Sequence, residues 1–201
     1  MNTVILGGGT VTGTLEQTAS LVRNRYVAHF RACLAAAASD GRVIAECEAL
    51  GAEGEVVTEG ALETPFRHDA ALITDNGVET VVFDCASLVV FRPFVEAAAG
   101  LAVHVHPFHW DYCELTVAPP LQPGKLRPIT DWFHSWFRAN AETTEGLACA
   151  VHCVTDPETQ GDQTRFIVDF GTAPAEALMA LLAAVATCRA QKVSLGVAET
   201  V

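Results

Sequence analysis

The sequence predicts an α+β fold: an antiparallel or mixed sheet with helices packed on one face, built on a ferredoxin-like (split βαβ) core. Three observations lead there. A long helical stripe opens the chain, and short alternating apolar segments follow it. The order strand–helix–strand–strand–helix–strand can then be read from Glu79 to Val154. Half of the 201 residues are apolar and 18% are charged, which is enough for a sizeable core and too apolar for disorder.

Residues 1–13 read as a flexible N-terminal arm ahead of a single domain, 14–201. Val4-Ile5-Leu6 running into Gly7-Gly8-Gly9 has the look of a strand entering a phosphate loop. The glycines, however, fall as GxGxxxG rather than GxGxxG, and no parallel strand follows at the right distance. Thr14 to Ser39 is the long N-terminal helix. Leu15, Ala19, Val22, Tyr26, Phe30, Cys33 and Ala37 form one apolar stripe, and Asp40-Gly41 ends it. The stripe suits core packing or, as a further option, a homodimer through helix 14–39.

Arg42 to Ala49 alternates Val43, Ala45 and Cys47 against Ile44, Glu46 and Glu48, which is the period of a strand. Gly51 to Arg67 reads as a loop or weak hairpin. Ala70–Thr74 and Glu79–Asp84 flank Asp75-Asn76-Gly77, a strong hairpin signal. Ser87 is placed to cap a helix to Ala99, shortened or kinked by Pro93. Beyond it, Gly100–His106 aligns without gaps on Gly146–His152. This suggests a repeated strand–strand–helix unit spanning 100–142 and 146–190. The unit's helices are expected over Ile129–Ala139, with Trp132, Phe133 and Trp136 inward, and over about Pro174–Cys188. Val193–Val197 is a last strand.

The densest chemistry lies in Leu101–Val117. If the chain folds back about Pro107-Phe108, His106 opposes His109, and His104 opposes Asp111, all on one face. His104, His106, His109 and Asp111 are therefore the predicted metal ligands, in a set suited to zinc or iron. The His-x-His lacks the aspartate and further histidine that follow it in metallo-β-lactamase-like hydrolases, and the glutamate that follows it in cupins, so no family is assigned. His152 stands where His106 does in the first copy and joins the cluster only if the two strands are neighbours.

The net charge of −12, with only two lysines, argues against a nucleic-acid surface. No apolar run is long enough to span a bilayer, so no membrane role is expected. No basic, apolar leader opens the sequence, and seven cysteines occur without a CxxC. These features suggest reduced thiols and a cytoplasmic location. Ten carboxylates crowd 41–85 against Arg42 and Arg67, offering a face to a basic protein partner. The first functional expectation is accordingly a non-enzymatic partner-binding module of inhibitor or immunity type. The alternative is a small metal-dependent hydrolase or oxygenase centred on the histidine segment.

Overall fold

The computed structural model describes residues 3–6, 9–75, 77–138 and 146–197. Its main sheet has seven strands. In chain order these are β8 (Phe94–Ala98), β9 (Leu101–Val105), β10 (Cys113–Ala118), β11 (Cys153–Val154), β12 (Glu158–Gln160), β13 (Gln163–Asp169) and β14 (Lys192–Gly196). They lie side by side as β11-β13-β10-β14-β9-β8, with β12 also on β13. A three-stranded sheet, β3-β6-β7, comprises β3 (Arg42–Glu48), β6 (Arg67–Thr74) and β7 (Gly77–Val81). Two short ladders complete the strands: β1 (Thr3–Leu6) with β2 (Gly9–Thr12), and β4 (Thr58–Glu59) with β5 (Thr64–Pro65). Thus residues of the expected N-terminal arm pair with one another, while 1, 2, 7 and 8 lie outside the described residues.

Three helices pack on these sheets among the described residues: α1 (Leu15–Ala37), α2 (Arg127–Phe137) and α3 (Ala175–Thr187). The mixed α+β class follows from how the strands bury alternate residues. Val103, Val193 and Val117 share one row, and Val105, Leu195, Leu115 and Phe166 the next; all are fully or almost fully buried. They meet Trp132 and Phe133 of α2, Leu178, Leu181 and Leu182 of α3, and Val22 and Phe30 of α1 in one core. The apolar stripe of α1 is therefore spent inside the chain, with Tyr26 only 4% exposed. Thr14 and Gln17 form the capping box of α1, and Glu96 of β8 accepts the Leu15 N–H at 2.9 Å. A carboxylate at the positive end of the helix dipole fastens α1 to the sheet edge.

Several expectations are corrected here. The helix predicted from Ser87 to Ala99 does not form, and Phe94–Ala98 is an edge strand. Ala99 and Gly100 both take positive φ, the conformation of the tight turn that returns β8 onto β9. Only Gly100 advertised that turn. Without that helix, the ferredoxin-like order read over Glu79–Val154 is not the order formed there. A split unit occurs later, where β13 and β14 flank β10 around α3.

The 101–117 segment is not a hairpin either, because β14 lies between β9 and β10, parallel to the first and antiparallel to the second. The intervening loop drives Phe108 and Trp110 into the core, where Trp110 stacks on Phe170 at 4.6 Å. Burying two large rings outweighs a tight turn at proline. The aligned copies also differ: 101–105 is a strand, whereas 147–152 is irregular and Cys149 has φ 53°. The hairpin of β6 and β7 has the expected place, with Thr74 opposite Gly77, although Asn76 lies outside the described residues, as do 139–145.

Leu181 is fully buried, whereas Val78 on β7 is 67% exposed. In urea unfolding, Leu181→Ala should cost about 2–5 kcal/mol. Val78→Ala should stay within about 0.5 kcal/mol.

Candidate metal centre

The two sheets meet at His152. Its backbone N–H donates to Asp169 O of β13 at 2.9 Å, and its carbonyl accepts from the Arg67 N–H of β6 at 3.0 Å. One irregular residue thus stitches both sheets together and sets its ring beside Asp69 on β6 and Asp169 on β13. The ring is fully buried. Gly171 lies so close that a Cβ there would sit 2.2 Å from His152 Cδ2, and its φ is 49°. Only glycine fits both the backbone and the space.

His152 Nε2 is 3.0 Å from Glu46 Oε1. Glu46 comes inward because its φ is 51° in the middle of β3, where the ladder with β6 skips the rung that faces Asp69. In an unbroken strand Glu46 would share a face with the exposed Ile44 and Glu48, but it is only 2% exposed. Its carboxylate also accepts from Thr172 Oγ1 at 2.5 Å and from the Ala148 N–H at 2.5 Å. Burial by itself would raise the Glu46 carboxyl, but the His152 hydrogen bond and charge, Thr172 and Ala148 outweigh it and hold it below its ordinary range. An ionised Glu46 is acceptor-only, so the Nε2–H of His152 donates to it. Nδ1 is thereby left facing the other way.

Nδ1 has no hydrogen-bond partner although the side chain is 1% exposed. It sits 3.6 Å from Asp69 Oδ1 and 3.4 Å from Asp169 Oδ2. Each carboxylate is anchored through its other oxygen: Asp69 Oδ2 accepts the Phe83 N–H at 2.7 Å, and Asp169 Oδ1 the Gly171 N–H at 2.8 Å. Burial would push the His152 pKa down. Asp169 above all, then Asp69 and Glu46, reverse this and raise it well above the ordinary histidine value. Among the described residues, Asp69, His152 and Asp169 form the group able to hold a metal ion, their ligand atoms lying within 4.8 Å of one another.

The two carboxylates line a cleft of about 180 Å³ together with Tyr26, Phe30, Phe83, Cys85, Asp111 and Tyr112. The Tyr26 hydroxyl is buried without a partner. Burial, followed by Asp169, Asp69, Asp111 and Glu46, raises its pKa well above normal. Phe170 N–H donates to Trp110 O, which keeps Asp111 beside the Asp169–Gly171 turn. Burial and then Asp169 raise the Asp111 carboxyl, and burial and then Asp111 push the Cys85 thiol up to about 11.

Of the four residues predicted as ligands, only Asp111 enters this cleft. His109 lies near enough to favour the charged form of Asp111. His104 lies on the less buried face of β9, and His106, just past the end of that strand, borders Glu114 and Arg165. His104 is depressed by burial, then by Lys192 and His106. Sequence reasoning missed Glu46, Asp69, Asp169, Thr172 and Tyr26. Of the group Asp69, His152 and Asp169 it singles out His152 alone, by its alignment with His106. No protein-family model, curated protein or solved structure matches this chain. No helix among the described residues is long and apolar enough to cross a membrane.

Two outcomes follow. Gly171→Ala should destabilise the protein by about 3 kcal/mol or more, since it forces Cβ into a buried ring. Gly161→Ala, at φ 62° in open space, should cost only about 1 kcal/mol. The pH dependence of metal-free protein is fixed by the two shifts. Stabilisation from a raised His152 is complete below the ordinary 6.5 and is lost as pH rises through the folded value. Stabilisation from a lowered Glu46 is present above the ordinary 4.5 and is lost as pH falls through the folded value. Urea midpoints of chelator-treated protein should decline on the alkaline side, and midpoints that rise there would contradict the assignment.

Proposed function

We propose that the chain is a small metal-dependent hydrolase whose zinc-sized ion is held by Asp69, His152 Nδ1 and Asp169. One observation carries this reading. The buried Nδ1 stands 3.4 and 3.6 Å from two anchored carboxylate oxygens. That is too far for a good hydrogen bond, yet it is the spacing of ligands around one ion. Two ligands each about 2.1 Å from a tetrahedral zinc are about 3.4 Å apart. Glu46 completes the pattern as the carboxylate that fixes the tautomer of a ligating histidine.

Three protein ligands would leave such an ion a further position for water or substrate, and Asp69 and Asp169 both line the cleft. A bound zinc ion supplies Lewis acidity there, lowering the pKa of water or polarising a carbonyl. The buried Tyr26 hydroxyl is positioned to donate to an oxyanion formed in the cleft. A single imidazole with two carboxylates suits zinc better than the two-histidine, one-carboxylate set of non-haem iron oxygenases. The partner-binding reading retains one observation, the eight carboxylates of 41–85 that are solvent-exposed, Glu46 and Asp69 being turned inward. Exposed charge alone needs no partner, whereas a buried imidazole nitrogen that makes no hydrogen bond between two carboxylates calls for an explanation.

Titration calorimetry with zinc should give one ion per chain. Asp169→Asn and Asp69→Asn should each weaken binding on the order of 100-fold, and Glu46→Gln about 10- to 100-fold. The His104→Ala/His106→Ala double variant should bind as the wild type does. Affinity should rise about tenfold per pH unit while His152 must shed a proton to bind. Absence of zinc binding, or its loss in the His104/His106 variant alone, would sink the proposal.

A further inference from the structure

We infer that the cleft over this centre selects a small organic cation, an alkylammonium or alkylguanidinium group, as its substrate or ligand. The inference rests on the metal reading for the reaction it would serve, though not for the recognition itself. Neither lysine nor arginine lines the cleft; His29 and Asp84 stand on its wall, and so do Asp69, Asp111 and Asp169. The Tyr26 hydroxyl feels these three and Glu46. A divalent ion neutralises two of those four carboxylates, so the cavity still favours positive charge with the metal in place.

Two buried polar atoms face this space without partners, Tyr26 Oη and Asp111 Oδ1. Both accept hydrogen bonds from N–H donors, and an anionic group would leave Asp111 unpaired beside it. The remaining wall is aromatic. Phe30 and Phe83 meet edge to face at 5.4 Å, and Tyr112 is 44% exposed at the cleft. Such rings favour a cation over their faces and cover an alkyl stem. About 180 Å³ accommodates a short stem with one charged head and excludes a polymer chain.

The test titrates n-butylammonium, butylguanidinium, n-butanol and butyrate into full-length protein, zinc-loaded and metal-free, followed by amide chemical shifts. Either cation should bind at least about tenfold tighter than n-butanol, and butyrate should be the weakest. Asp111→Asn should erase most of the cation preference while zinc stoichiometry is kept. Equal binding of n-butanol, tighter binding of butyrate, no binding of any probe, or an unaltered preference in Asp111→Asn would overturn the inference. The two readings fail separately. Cation preference in metal-free protein without any zinc binding removes the metal centre alone, and zinc binding without cation preference removes the substrate class alone.

Discussion

The structure turns on the buried contact between Glu46 and His152. Placing a carboxylate and an imidazole out of water is costly unless every polar atom finds a partner. Here Glu46 receives the imidazole, the Thr172 hydroxyl and the Ala148 N–H, so its side is satisfied. The imidazole is hydrogen-bonded on one nitrogen only, and its other nitrogen stands at ion-pair distance from Asp69 and Asp169. That asymmetry is the physical basis for assigning a ligand role to the other nitrogen, which an imidazolium would use to pair with Asp69 and Asp169 and a neutral imidazole would turn, with them, on one ion.

The same contact explains otherwise unrelated backbone features. Glu46 holds a left-handed conformation in a strand, and Gly171 approaches the ring too closely for any side chain. Strain of this kind persists only where surrounding structure fixes it, and here it is fixed by hydrogen bonds from His152 to both sheets. Two sheets, α1 and the loop carrying Trp110 each contribute one wall. The site therefore sits at a junction of elements, where small adjustments of packing can bring distant residues together.

The fold class was legible because it depends on local periods. The α1 stripe, the aromatic face of α2 and the alternation along β3 are properties of neighbouring residues. What failed depended on long-range pairing. The insertion of β14 between β9 and β10 takes a strand from the chain end, and no local feature of 101–117 announces it. The helix expected after Ser87 lost to an edge strand whose partner and turn lie downstream. For the site, histidine density draws attention to His104 and His106, one on β9 and the other just beyond its end. The residues that converge are Glu46, Asp69, His152 and Asp169, spread over more than half of the chain. The φ that turns Glu46 inward breaks the alternation of β3.

X-ray absorption at the zinc edge on stoichiometrically loaded protein tests the central claim most directly. One imidazole with oxygen ligands at about 2.0–2.2 Å and no sulfur is the predicted first shell. Two or more imidazoles, or a sulfur ligand, would place the ion elsewhere and contradict the account.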